Sequence, residues 1–225
     1  DRLRSRGLGD VYKRQLVDKG HDIYHRKCPV MLHKIAKCPQ NKDGVSGCYP
    51  ACSITNGFGG AGAYSDGKFN ITSEFGGWMT DYLSASLVEE LICYVDSINL
   101  KYGATHVITD PTTEAVKEIE HKAIGAGLKL LRSRVRHLGT ENNLQILQRM
   151  FDDLAKAIDM RFECEASDVI VRDGKVCGVM LGDEFIETDK VLLSVGRDGS
   201  IWLEEICKKH HIDMTHNPVS YTHLR

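Results

Sequence analysis

Residues 56–70 read NGFGGAGAYSDGKFN, with glycine at Gly57, Gly59, Gly60, Gly62 and Gly67. Glycine at that density lets a backbone press its N–H groups against a phosphate-bearing ligand, so the stretch predicts a nucleotide-type cofactor. A P-loop is the competing local reading, because Gly62, Gly67 and Lys68 have the spacing G-x-x-x-x-G-K. It fails at the next position, where Phe69 replaces the Ser or Thr whose hydroxyl would hold magnesium, and no apolar strand run leads into the loop. A phosphate-binding NTPase built on Gly62 to Lys68 is therefore the minor alternative.

The two ends of the chain contribute little to this reading. Residues 1–15, DRLRSRGLGDVYKRQ, hold five basic side chains and no apolar period that a core could use. They and the final SYTHLR, residues 220–225, resemble conceptual translations of adapter sequence; the alternative is a disordered basic arm and a frayed tail. The functional expectation is confined to residues 16–219. The whole chain has 29 Lys and Arg against 31 Asp and Glu, whereas 16–219 keeps 23 against 29. That mildly acidic balance argues against a nucleic-acid partner, since no Lys/Arg cluster remains to displace counterions from a phosphate backbone. No apolar run is long enough to span a bilayer and no signal-peptide pattern is visible, which predicts a cytoplasmic chain without a membrane partner. About 200 residues at 42% hydrophobic content suffice for one core, or for a core plus a small lobe.

Before the glycine run, Gln15-Leu16-Val17-Asp18-Lys19-Gly20 has the pattern of a short strand ending in an acidic residue and a turn. Residues 21–75 are mostly loop. Ser86 and Glu89 have capping-box spacing ahead of a helix with Leu87, Leu91, Val95 and Ile98 on one face, which Gly103 can end. A brief strand at 106–109 and a helix at 115–126 follow, so 76–136 reads as an inserted helical lobe. Thr140 is expected to cap a further helix, with Leu144, Leu147, Phe151, Leu154 and Ile158 on its apolar face, and a strand follows at 160–164. Val169 and Val171, the turn Asp173-Gly174, and then Val176, Val179 and Leu181 predict a hairpin, extended by a strand around Phe185. Val191-Leu192-Leu193-Ser194-Val195 is a near-continuous apolar run closed by Gly196, as in a parallel strand covered on both faces. A final amphipathic helix spans 201–209.

The order strand, acidic residue, glycine-rich loop, insertion, helix, β-meander and apolar strand ending in Ser-Val-Gly-Arg is similar to the FAD-binding half of flavoprotein oxidoreductases. More narrowly, GFGGAGAYSDGK, the VRHLGT of 135–140 and the SVGRDGS of 194–200 resemble the FAD-dependent dehydrogenases of bacteria and archaea, within the NAD(P)/FAD-dependent oxidoreductases. Three separated motifs in the right order are more specific than any one alone. The resemblance implies an α/β fold: a partial Rossmann-like FAD/NAD(P)-binding domain split over 16–75 and 137–219, with a β-meander and the inserted lobe at 76–136. It implies FAD as cofactor, NAD(P)H as a possible electron donor, and a small-molecule substrate of unread identity.

It also assigns residues. Asp18 would bond the adenosine ribose hydroxyls. Gly59, Gly60, Ala61 and Gly62 would lie against the pyrophosphate or the flavin, with Ser65, Asp66, Gly67 and Lys68 around it. Ala166 would bond the adenine through its backbone. Ser194 and Gly196 would admit the cofactor, Arg197 would face its phosphates or ribityl chain, and Arg136 and His137 would touch substrate or flavin. The resemblance places a G-x-G-x-x-G loop ahead of Asp18 that these 225 residues lack, which predicts weak FAD binding by this polypeptide alone.

Eight cysteines without a secretory signal point to reduced thiols or a metal site more than to disulfides. Cys28, Cys38, Cys48 and Cys52 precede the glycine run with nine, nine and three residues between successive members, so only the last pair has a ligand-like separation. Three alternatives stay open for them: an iron–sulfur or zinc site, a redox-active thiol near the flavin, or plain cysteines. A non-catalytic cysteine-based metal or redox module is accordingly the main rival function. Cys93, Cys164, Cys177 and Cys207 are expected as small core residues. No Ser/His/Asp grouping, paired carboxylates or His pair suggests hydrolysis.

Overall fold

The structure, a computed structural model, describes residues 14–39, 47–74 and 76–214. The rest of both expected adapter-derived ends, 1–13 and 220–225, lies outside the described residues. Arg14, expected in the non-folding arm, instead opens strand β1, ahead of the strand pattern read from Gln15.

The chain is α/β. Its elements are β1 (Arg14–Val17), β2 (Lys68–Asn70), α1 (Ala85–Lys101), α2 (Glu114–Gly125), β3 (Val135–His137), α3 (Thr140–Leu154), β4 (Ile158–Arg161), β5 (Ala166–Arg172), β6 (Lys175–Leu181), β7 (Glu184–Glu187) and α4 (Ser200–Lys209). They form three small sheets rather than one. β1 pairs with β4 in parallel, with Leu16 opposite Met160. β2 and β3 are antiparallel, and β5, β6 and β7 form an antiparallel meander.

Local chemistry accounts for most boundaries. Asp173 and Gly174 have φ of 50° and 71°, two successive left-handed residues whose twist suits a two-residue hairpin. Ser84 accepts from the Leu87 N–H at 3.3 Å, so α1 starts one cap earlier than the Ser86/Glu89 spacing indicated. Thr113 caps α2 in the same way. At α3 the cap is Gly139, with φ of 78°, and Thr140 is the first helical residue instead. Residues 106–109 are not a strand, although the Thr109 N–H donates to Val135 O at 2.9 Å beside β3.

The largest departure lies at 191–195. The apolar run predicts a strand covered on both faces, but the segment has no ladder partner among the described residues, and Leu192 is 92% exposed. A continuous apolar run becomes a core strand only where neighbours flank it and layers cover it. Parallel pairing among the described residues is confined to β1 and β4.

The core gathers Ala104, Leu138 and Ile146 with Phe69, Leu100, Tyr102 and Met150. α3 supplies its centre, and Ile146 is 1% exposed. A second contact set joins α3 to the loops: Phe151 meets Tyr24 and Phe58 edge-on at 5.7 and 5.1 Å, and Phe162 lies 5.9 Å from Phe151. The 71–134 excursion leaves from β2 and returns on β3, two paired strands, and Arg136 on β3 ties α1 of that excursion to the strand.

Candidate functional site around the end of strand β1

Asp18 follows the last residue of β1, and its backbone is held by the end of β4 and the segment after it: its N–H donates to Arg161 O, and its carbonyl accepts from Cys164 N–H. Its carboxylate is thereby fixed toward the glycine run. Oδ1 accepts from the Gly20 N–H at 2.7 Å and from the Gly57 N–H at 3.1 Å. A side chain on Gly20 would run into the Gly57 backbone, and one on Gly57, at φ of 94°, into the His21 carbonyl. Two glycines back to back are what lets the carboxylate span both amides.

The next residue reaches the third motif. Lys19 Nζ pairs with the Asp198 carboxylate, and with Glu165 at 3.8 Å. Asp198 belongs to SVGRDGS, so two adjacent residues after β1 touch the glycine run on one side and the 194–200 segment on the other.

The glycine run is tied down from beneath. Arg26, 5% exposed, donates from Nε to Ser53 O at 3.0 Å, from Nη2 to Ile54 O at 2.8 Å and from Nη1 to Phe58 O at 2.6 Å. Tyr64 donates its hydroxyl to Arg26 O, and burial raises the Tyr64 phenol above its ordinary range. Asn143 of α3 donates to Gly62 O at 2.7 Å. Gly59 to Gly62 then lie at the surface in and before a 3-10 turn, Gly60–Tyr64. At Gly60, Gly62 and Gly196 an added Cβ would meet nothing within 4 Å.

Several expected site residues have local partners. Ser65 donates to Gly62 O at 2.8 Å and accepts from Gly67 N–H at 3.2 Å, closing the loop on itself. Lys68, 2.7 Å from Asp66, holds that carboxyl below its usual range, and His137 stands 3.8 Å away. Lys68 begins a strand, not a helix, which removes the helix N-terminus that a P-loop needs. Ala166 opens β5 opposite Leu181. Ser194, Gly196 and Arg197 are exposed, and the Arg197 carbonyl accepts from Ser200 Oγ at 2.8 Å.

Arg136 corrects its expectation. It is 2% exposed and bidentate on Asp96 of α1, Nε to Oδ1 at 2.6 Å and Nη2 to Oδ2 at 2.7 Å, with Nη1 on Thr105 O. This salt bridge raises the guanidinium pKa, and the side chain holds the excursion in place instead of facing a ligand. Cys93 corrects another: it is exposed, while Cys164, between β4 and β5, and Cys177 on β6 are half-buried and Cys207 on α4 is buried.

A cavity of about 260 Å³ lies elsewhere, between α1 and β2, lined by Phe69, Ile71, Met79, Val88, Leu91 and Val95 among others. A second, of about 420 Å³, opens at the start of α3 around Gly139 and Thr140. Neither is lined by Gly59 to Gly62 or by Gly196. Among the described residues no three His, Cys, Asp or Glu side chains gather in a metal-holding arrangement, the four loop cysteines included. No described helix is long and apolar enough to cross a membrane.

Reading from sequence missed Gly57, Lys19, Arg26, Asn143 and Asp198. The pairs Asp18-Lys19 and Arg197-Asp198, each beside a glycine, were the available signal for two of them; Arg26 and Asn143 carried none. No protein-family model matches the sequence, and no curated protein matches it.

Proposed function

We propose that this chain is part of an FAD-dependent oxidoreductase whose Rossmann-like cofactor domain meets at the end of β1. The observation that carries the reading is the meeting of its motifs at Asp18 and Lys19, through Gly57 on one side and Asp198 on the other. Two of the three resembling stretches, the glycine run and SVGRDGS, thus reach one strand end, while VRHLGT joins the end of the glycine run through the pairing of β2 and β3.

The residues fit a dinucleotide in part. Gly60, Gly62 and Gly196 offer backbone without side chains and with open space beyond. Asp18 fits less simply, because Oδ1 is taken by two amides and Oδ2 is the atom left for a ribose hydroxyl. Arg197, exposed beside Gly196, is the candidate for the phosphates. When bound, the flavin would take up a hydride or an electron pair; the chain's own part is to bind and orient it. NAD(P)H is the proposed donor, and a small molecule of unassigned structure the substrate.

The test is the complete natural protein that contains residues 16–219, purified and examined for flavin. The expected result is bound FAD, bleached anaerobically by dithionite or NAD(P)H and lost in Gly60→Glu without loss of helix content. Colourless protein that takes up no added FAD overturns the reading.

A further inference from the structure

We propose that the cavity between α1 and β2 binds a small uncharged alcohol or phenol, its apolar body lying between the two elements and its hydroxyl on the side-chain amide of Asn99. The cavity is lined by neither Gly59 to Gly62 nor Gly196, so the inference does not depend on a bound flavin.

The sequence of α1 carries the first signal. Val88, Ile92, Val95 and Asn99 fall at spacings of four, three and four residues, a single stripe of the helix. The stripe ends on an amide where its period calls for an apolar side chain. Together with Phe69 and Ile71 it lines the cavity of about 260 Å³. Val88 and Ile71 are buried and Ile92 is half-buried, while Met79, Leu91 and Val95 are exposed at the rim.

Asn99 distinguishes this cavity from an uncovered apolar face. It is 7% exposed, and its side-chain amide makes no hydrogen bond among the described residues. Among those residues no polar side-chain atom sealed away from open space lacks a partner, so the Asn99 amide opens on the cavity that it lines. A nearly buried amide without a partner is unfavourable, and a ligand that bonds it recovers the loss. The amide both donates and accepts, two roles that one hydroxyl answers.

Charge and size narrow the class. The Asp96 carboxylate on the cavity wall is bonded through both oxygens to Arg136, which neutralises it and fixes α1 against β3, the strand paired with β2. No Lys, Arg or His among the described residues lines the cavity. A carboxylate ligand would therefore be desolvated without a counter-charge, and an ammonium would find no unpaired acid. An uncharged head is what fits. A dry cavity of about 150 Å³ accepts benzene, and pockets for drug-sized ligands begin at about 300 Å³. The volume here lies between the two, room for one substituted ring or a short alkyl chain.

The experiment titrates para-cresol into the isotope-labelled full chain and follows methyl and side-chain amide signals by NMR. Toluene, which lacks the hydroxyl, and para-toluate, which carries a carboxylate in its place, are titrated in parallel. Saturable one-to-one shifts are expected at the Ile71, Val88 and Ile92 methyls and at the Asn99 amide with para-cresol. Toluene is expected to bind at least about threefold more weakly, and para-toluate at least about tenfold more weakly. Asn99→Leu, which keeps the size of the side chain, equalises para-cresol and toluene; Val95→Trp, at the exposed rim, blocks both. The comparison of the three compounds on the parent chain stands whether or not the variants fold. The proposal is overturned by the absence of saturable shifts at these residues, or by toluene or para-toluate binding as tightly as para-cresol. It is equally overturned by α1 methyl signals that broaden with protein concentration, which would make a second copy of the chain the occupant.

Discussion

Asp18 shows how one side chain can serve the fold where sequence suggests a ligand. A carboxylate at a strand end is an acceptor pair in search of donors, and it finds the Gly20 and Gly57 amides within its own chain. Hydrogen bonds to a charged group contribute about 1.5–3 kcal/mol each, so losing the two at Asp18 in Asp18→Ala is expected to destabilise the chain by about 3–6 kcal/mol in urea unfolding. Asp18→Asn, which keeps an acceptor oxygen, should recover at least half of that. An alanine variant as stable as the parent would remove Asp18 from the junction. Arg136 makes the same point from the other direction. Its charge and its place after the insertion were legible, but its partner Asp96 sits 40 residues away on α1, a distance no local spacing reveals.

At the scale of elements, the glycine run divides into a buried half and an open half. Gly57 is buried with left-handed φ and the His21 carbonyl against it; Gly60 shares the left-handed φ but has open space. Gly57→Ala is therefore expected to cost at least about 3 kcal/mol, from strain plus a backbone clash, and Gly60→Ala about 1 kcal/mol from strain alone. Equal costs, measured by denaturant titration, would mean that the two halves have the same role. The hairpin, α1, α2 and α3 were readable because caps, turn residues and 3.6-residue periodicity act within a few positions of one another. The cap of α1 moved to Ser84 because two serines compete there, and geometry chose the one whose Oγ reaches the Leu87 amide.

The whole molecule leaves much apolar surface uncovered. Leu87, Leu91, Tyr94 and Val95 are exposed along α1, Trp78 and Tyr82 beside it, and Leu192 in the segment expected to be a core strand. Leu192→Ser should change the stability of this chain by less than about 0.5 kcal/mol, as exposed substitutions do. A loss of 2 kcal/mol or more, the cost of a buried leucine, would show that 191–195 is packed in solution. The α/β composition, the Asp173-Gly174 hairpin, the helices and the two halves of the β1 junction as separate motifs are legible in the order of residues, since each follows from short-range sterics, capping and periodicity. That Asp18 grips Gly57, that Lys19 reaches Asp198, that Arg136 pairs with Asp96 and that the 191–195 run lies open emerges in the folded chain alone. Those outcomes depend on which groups distant in the chain come within hydrogen-bonding reach, and long-range pairing leaves no periodic trace in the residues that make it.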